Sequence, residues 1–360
     1  KWGLEEYRHY YGNCTFDDDV TTGATLFFLR LYLATLDPAY KEPLDGALNL
    51  IRSVQYPNGA WPQRYPLHYD FAHDGLRDYT SFYQINDGVI PNAIEVMVLA
   101  YEILGDERNM EADRRGMDFL IAAQGPEVKA AWADQHGMDL KPASGRTHEA
   151  AGYMPRYTVQ AIRALQDAWL VTGDRRYLKP IPGALEWLEK SAHATRPDGR
   201  LSVVDRYEYG TNRPILRTRS NRVNEEGYGI WEWSYGTTGR IRSVNLPALK
   251  KEYDRLAALS PQEARDLHAE ERQSMRYTPG TTDLEEVESL INSLDERGAW
   301  IEELPVYGMD ISKPSPPGVK WDNQNPEIDD DHAADQIPGI STSRFRKHMR
   351  TFANYVAQSK

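Results

Sequence analysis

Carboxylates and arginines are the residues of this chain best suited to chemistry. Asp17-Asp18-Asp19 and Asn86-Asp87-Gly88 each stand just before a stretch with helical apolar spacing. An acid there can cap the helix by satisfying free first-turn amides. Alternatively Asp18 and Asp87, at equivalent helix entrances, face one cleft and hold a hard cation such as Ca²⁺, which takes oxygen ligands. Neither segment has the spacing of an EF-hand loop, so both uses stay open. Asp329-Asp330-Asp331 reads as a solvated acidic loop. Seven arginines fall between Arg196 and Arg222, namely Arg196, Arg200, Arg206, Arg213, Arg217, Arg219 and Arg222. In an acidic chain that cluster suits an anionic ligand met at one place, the alternative being a solvated hairpin. The loop Trp61-Pro62-Gln63-Arg64-Tyr65-Pro66 either caps the core or offers a platform for sugar rings, with Gln63 and Arg64 reaching hydroxyls or carboxylates.

Other chemistries find no support. The nine histidines include no HExxH, so His136 and His148 read as polar loop residues. Cys14 is the only cysteine, which rules out an intrachain disulfide and a thiolate metal cluster. There is no nucleophile elbow, phosphate loop or dinucleotide fingerprint. A net charge of -12 argues against nucleic acid. The longest apolar stretches are interrupted by Arg30 or Glu95 and are too short to cross a bilayer.

The elements that must position these groups come from an internal repeat. Leu36-Asp37, Gly105-Asp106 and Gly173-Asp174 mark helix-to-helix turns at intervals of 69 and 68 residues. Each is followed by apolar helical spacing: Ala47, Leu48, Leu50 and Ile51; Gly116, Met117, Phe119 and Leu120; Ala184, Leu185, Trp187 and Leu188. A Gly- or Trp-bearing loop follows: Asn58 to Trp61, Ala131-Trp132 and Asp198-Gly199. A weaker fourth copy runs through Ser289-Leu290-Ile291 to Gly298-Ala299-Trp300. Helical-hairpin units of this length bury their apolar faces only by stacking on neighbours.

The expected helices cover 22–36, a partner to about 54, one from about 89 to the turn at 105, one ending near 124, then 158–171 and 177–192. Leu201 to Trp233 reads as an extended hairpin. Further helices are expected at 248–259, 284–294 and 345–358, with 311–338 as loop. With 40% hydrophobic residues in 360, there is material for one large core. The expectation is a mainly α, single catalytic domain over 1–360, with repeats at 18–86, 87–155 and 156–233 and a capping segment at 234–360. In such a stack the loops after Trp61 and Trp132, the acids at the helix entrances and the arginine-rich hairpin all gather at one end, as a cleft for a charged sugar requires.

Several blocks, in order, resemble the pectic acid lyases, the family 10 polysaccharide lyases. They are Gly59-Ala60-Trp61-Pro62-Gln63-Arg64-Tyr65-Pro66, Ile85-Asn86-Asp87-Gly88-Val89, Trp132-x-x-Gln135-His136, Leu140-Lys141-Pro142, Gly145-Arg146-Thr147-His148-Glu149 and Gly210-Thr211-Asn212-Arg213-Pro214-Ile215. The resemblance covers about Asp17 to Trp233. It implies an (α/α)3 toroid and calcium-assisted anti β-elimination on polygalacturonate. Carried over, Asp87 is similar to the family's calcium-binding aspartate, Asp18 or Asp19 to its upstream acid, and Arg219 to its base, with Arg217 a rival. Arg146 resembles a substrate-binding arginine, Arg206 a further one, and Lys141 a sugar contact; Trp61, Arg64 and Tyr65 complete the expected substrate surface. Glu226-Gly227-Tyr228-x-x-Trp231 only approximates the family's downstream element.

Two alternatives remain at this level: a helical-toroid glycoside hydrolase using a carboxylate pair such as Asp87 with Asp18 or Glu149, and a noncatalytic polyuronate-binding protein. The lyase reading implies Ca²⁺ as cofactor, an acidic polysaccharide as partner, a monomer, and a secreted or periplasmic location suited to a polymer substrate.

Overall fold

A computed structural model describes residues 14–67, 79–126, 130–145, 150–223, 229–235, 241–274, 280–305 and 336–358. The described residues up to 269 form one compact unit, and those from 270 onward a second.

Three helical hairpins build the first unit. Helix α1 (Val20–Thr35) turns into α2 (Pro38–Ser53), α3 (Val89–Leu104) into α4 (Glu107–Ala122), and α5 (Pro155–Thr172) into α6 (Ile181–Ser191). The three turns are built alike. Each first helix ends on a left-handed residue, Leu36 (φ 56°), Gly105 (φ 70°) or Gly173 (φ 70°). Each is followed by an aspartate whose carboxylate accepts an amide two residues on: Asp37 from Ala39 at 2.9 Å, Asp106 from Arg108 at 3.1 Å, Asp174 from Arg176 at 2.9 Å. The third hairpin departs from the expected continuous helix over 177–192. A 3-10 turn (Arg175–Leu178) precedes α6 because Pro180 and Pro182 supply no amide for a continuing ladder.

The first helices pack on one another in order, α1 on α3 and α3 on α5, and the second helix α2 packs on α4. Between them lies a core that includes Leu44, Leu48, Ile51, Ile90, Val96, Met97, Phe119, Leu120, Ile162, Leu165 and Trp169. Trp61 belongs to this core. It is 0% exposed, and its indole N–H donates to the Ile51 carbonyl at 2.8 Å, as Trp132 does to Leu120 at 2.7 Å. Gly116 makes room for that ring, since a Cβ there would lie 2.7 Å from it. At Gly59 (φ 93°) a Cβ would meet the Arg115 carbonyl at 1.9 Å, so the loop entering Trp61 also requires glycine. The sugar platform expected of Trp61 is therefore corrected: the ring is a repeat-locking core residue that no ligand reaches.

Short strands tie the loops at one end of the hairpins. β1 (Cys14–Thr15) pairs with β2 (Arg64–Tyr65), and β3 (Tyr83–Gln84) with β4 (Gln135–His136), so the strand before each first helix is held by the strand after that repeat's tryptophan. In the third repeat β5 (Gly152–Tyr153) joins a four-stranded antiparallel sheet with β8 (Arg206–Glu208), β9 (Pro214–Val223) and β10 (Gly229–Tyr235), in the order β10-β9-β8-β5. β6 (Ala194–Thr195), β7 (Leu201–Val204) and β11 (Ile241–Val244) form a separate sheet.

Of the expected capping segment, one whole helix and the part of another up to Ala269 belong to this unit. α7 (Leu246–Ala257) packs on α6, and its last turn takes hydrogen bonds from Trp169 (to Leu256, 3.1 Å) and Arg175 (to Ala257, 3.0 Å). α8 (Pro261–Ser274) has no counterpart among the expected helices, although its start carries a capping box. The Ser260 amide donates to Glu263 Oε2 at 2.7 Å and the Glu263 amide to Ser260 Oγ at 3.3 Å.

The second unit repeats the local pattern of the first. After α9 (Leu284–Asn292), the Trp300 indole donates to the Leu290 carbonyl at 2.9 Å. The loop before it is closed by Asp295 N–H to Ala299 and Gly298 N–H to Asp295, both 2.9 Å, matching the bonds from Tyr56 to Ala60 and from Gly59 to Tyr56. β12 (Glu302–Pro305) then pairs with β13 (Gln336–Gly339), which leads into α10 (Thr342–Gln358), and α9 packs on α10. The fourth copy is therefore present with its helices in reversed chain order: the helix that follows a strand comes last.

Candidate active site

The entrances of α1 and α3 have the same backbone. Phe16 and Ile85, both 0% exposed, anchor the chain in the core, and a 3-10 turn follows (Asp17–Asp19 and Asn86–Gly88). Asp18 (φ 48°, ψ 34°) and Asp87 (φ 47°, ψ 27°), 69 residues apart, occupy the same left-handed position. Asp19 (φ 63°) follows in that conformation where the second turn has Gly88 (φ 78°). Left-handed non-glycine residues cost about 1–3 kcal/mol each unless their surroundings impose them. The two turns pack against each other, and carboxylate oxygens of Asp17, Asp18 and Asp87 lie within 4.8 Å of one another.

Each turn is held from behind by its own repeat. The Phe16 amide donates to Gln63 O at 2.8 Å and the Asp17 amide to Thr15 Oγ1 at 3.1 Å. The Ile85 and Asn86 amides both donate to Asp134 O, at 2.9 and 2.8 Å, while Tyr157 of the third repeat donates to Asn86 Oδ1 at 2.5 Å. Asp134 is in turn fixed by its carboxylate, which takes two hydrogen bonds from the Arg206 guanidinium, one of them 3.1 Å. Arg206 also donates to the Ala150 carbonyl. A bidentate pair this well enclosed is costly to break, because either partner alone would be a buried charge. Arg206, 7% exposed, is thus corrected from a substrate contact to the brace of the Asp87 turn.

The other expected residues fall into three groups. Arg64 is brought to the site, paired in register with Thr15, two residues before Asp17; Tyr65, 41% exposed, pairs with Cys14. Asp19 turns away from the carboxylate group: its Oδ1 accepts from Thr22 Oγ1 at 2.5 Å and from Asn92 Nδ2 at 3.3 Å. Lys141 is exposed and paired with Asp139 at 3.1 Å, on a loop that His136 holds. Burial lowers the His136 pKa to about 4, so the ring is neutral, accepting from the Ala133 amide and donating to Leu140 O. Arg217 and Arg219 stand on β9, in register with Trp233 and Trp231 of β10. Arg146, with Thr147, His148 and Glu149, lies outside the described residues.

Two residues of the site escaped the sequence. Asp17 sits beside Asp18 in plain view, but only the 3-10 turn shows that it, and not Asp19, joins Asp87. Asp134 lies between the recognisable Trp132 and Gln135, and its role depends on a partner 72 residues away.

The pectic acid lyase family model matches residues 5–196, more than half of the chain. The chain belongs to the pectic acid lyase family. A mutant family 10 polysaccharide lyase from Cellvibrio cellulosa, solved in complex with trigalacturonic acid, is similar in structure with a TM-score of 0.51 and 17% identity, covering 69% of this chain and 82% of that one. Another family 10 polysaccharide lyase structure from Cellvibrio cellulosa gives a TM-score of 0.47 at 20% identity, covering 56% and 69%. No curated protein matches in sequence. Membership makes the protein a polysaccharide lyase with a mainly α fold of three helical hairpins, as the resemblance implied.

Proposed function

We propose that this member of the family is a pectate lyase that cleaves polygalacturonate by calcium-assisted anti β-elimination, releasing unsaturated oligogalacturonides. The observation that supports it is the meeting of Asp17, Asp18 and Asp87 on two matching strained turns. The donors fit Ca²⁺: all are carboxylate oxygens, and Asp17 Oδ1 is buried with no hydrogen-bond partner among the described residues. A calcium ion held there would draw charge from the uronate carboxylate and acidify the proton beside it.

The chain's own residues then have separate tasks. Arg64, next to the acidic turn, and Arg146 hold uronate carboxylates, for which the planar guanidinium is well shaped. Arg219 removes the C5 proton. The electron pair forms the C4–C5 double bond as the C4–O bond breaks, and the departing sugar oxygen takes up a proton from solvent water while Arg219 later returns the C5 proton to solvent. Arginine's ordinary pKa is above about 12, so a base role requires surroundings that favour its neutral form, such as neighbouring cations. A secreted or periplasmic location accords with a polymer substrate. The test is Arg219→Ala and Arg219→Lys on polygalacturonate. Loss of the base lowers the rate of unsaturated product by about 10²–10⁴-fold; normal turnover in either variant removes Arg219 from that role.

A further inference from the structure

The geometry points to Arg156, in the first turn of α5, as a further substrate contact that recognises a free uronate carboxylate and disfavours its methyl ester. This rests on the polyuronate reading of the acidic turns and adds to it a means of telling an acid from an ester.

The third repeat brings a cation to the end of the hairpins where the first two bring acids. Asp18, Asp87 and Pro155 stand at intervals of 69 and 68 residues, as the turns at Leu36, Gly105 and Gly173 do, and Arg156 follows Pro155. The entrance to α5 is fixed to the Asp87 turn by two routes. The Met154 amide donates to Trp132 O at 2.9 Å and the Trp132 amide to Thr158 Oγ1 at 3.2 Å, on the loop whose Asp134 carbonyl holds Ile85 and Asn86. Tyr157, 5% exposed, crosses directly to Asn86 Oδ1, beside Asp87. The Arg156 guanidinium carbon lies 5.5 Å from the centroid of that Tyr157 ring. The cation therefore rests against the side chain that joins α5 to the acidic turn.

Its charge is open to a ligand. Arg156 is exposed, and among the described residues its side chain has no hydrogen bond or ion pair. Arg206, by contrast, is closed off by Asp134, and at the opposite end of the hairpins Arg108 is paired with Asp106 and Arg176 with Asp118 and Asp174. The α5 entrance has no acid in its first turn and no side-chain cap, so nothing there offsets a cation that the helix dipole disfavours. The Tyr157 ring restrains the long side chain while its N–H fork stays unused. A carboxylate matches that fork with two parallel, charge-assisted hydrogen bonds. A methyl ester has no charge, and its hydrogen bond to the same group is weaker.

The test compares wild type, Arg156→Gln and Arg156→Lys on polygalacturonate and on the same polymer partly methyl-esterified, following unsaturated product. Calorimetry measures hexagalacturonate binding in the presence of Ca²⁺, and calcium affinity separately. Arg156→Gln is expected to raise KM for polygalacturonate about ten-fold with kcat little changed, as the loss of one charge-assisted contact would. The preference for free over esterified polymer should narrow by about the same factor. Arg156→Lys keeps the charge without the fork and falls between. Calcium affinity should be unchanged, and the melting temperature close to wild type, since the lost ring contact is offset by removing a cation from a helix entrance. Weakened calcium binding, or equal losses on free and esterified polymer, would make Arg156 a prop of the Asp87 turn and overturn the proposal. So would wild-type KM and preference in Arg156→Gln, and neither result touches the lyase reading. If the wild type forms no unsaturated product, hexagalacturonate binding decides. About ten-fold weaker binding by Arg156→Gln then upholds the arginine's role while the lyase reading falls, and unchanged binding overturns the role as well.

Discussion

The two ends of the helical hairpins carry the same residue type to opposite purposes. At the turns between paired helices, Asp37, Asp106 and Asp174 occur three times over, and each caps the segment that follows in ordinary extended geometry. At the other end, Asp18 and Asp87 occur in only two repeats, in left-handed backbone, and the third repeat enters α5 through extended Met154 and Pro155 with no acid and no strain. A stabilising role would be expected in every repeat and at low strain, as the caps are. An acid set at a cost in two neighbouring repeats, facing a third carboxylate, is the arrangement on which the proposed metal role rests.

The comparison can be broken most severely at the acids themselves. Asp87→Gly and Asp18→Gly each suit the left-handed backbone better than aspartate does. Each should raise the melting temperature without calcium while lowering elimination by at least about 100-fold, the several kcal/mol a bound metal supplies. A drop in stability in both would make the acids structural. Next in size is the brace. Asp134→Asn or Arg206→Lys leaves the three carboxylates in place but loosens the Asp87 turn. Calcium affinity, read by calorimetry, should weaken by about 10–100-fold, as when groups that orient metal ligands are lost; unchanged affinity would make the pair merely structural.

A third contrast lies inside the repeats. Asp113 of α4 stands 69 residues after Leu44 and 68 before Ile181, both fully buried. It is itself buried, with neither oxygen hydrogen-bonded among the described residues, and burial raises its pKa to about 8. A carboxyl with a folded-state pKa above its unfolded value favours folding fully below about pH 4, and that contribution is lost as pH rises through about 8. Asp113→Asn should therefore flatten the fall in melting temperature between those limits, and an unchanged slope would assign the fall to other groups. The smallest effects belong to the caps. Asp37→Ala, Asp106→Ala or Asp174→Ala should each cost about 1 kcal/mol in denaturant unfolding and leave elimination at the wild-type rate.

Periodicity made the hairpins legible, because residues such as Leu48 and Ile51, or Phe119 and Leu120, recur with the turn aspartates at a fixed interval. It also disclosed the fourth copy through Gly298-Ala299-Trp300, though not its reversed order, which only the β12–β13 pairing shows. Spacing placed Asp18 and Asp87 at matching entrances. It could not rank Asp17 above Asp19, since that choice is set by the twist of a single 3-10 turn. Trp61 and Arg206 were misjudged for a common reason. Tryptophan and arginine serve a sugar site and a protein interior equally well, and what separates the uses is a long-range partner: the Ile51 carbonyl for one, the Asp134 carboxylate for the other.

The most direct measurement is the near-ultraviolet absorbance of the conjugated unsaturated uronate while the wild-type protein acts on polygalacturonate, first with Ca²⁺ and then with EDTA. The account predicts a rise with calcium that the chelator stops and added calcium restores. A rise indifferent to EDTA would contradict a metal role for Asp17, Asp18 and Asp87. Cleavage that yields only saturated ends, or no cleavage at all, would contradict the elimination itself.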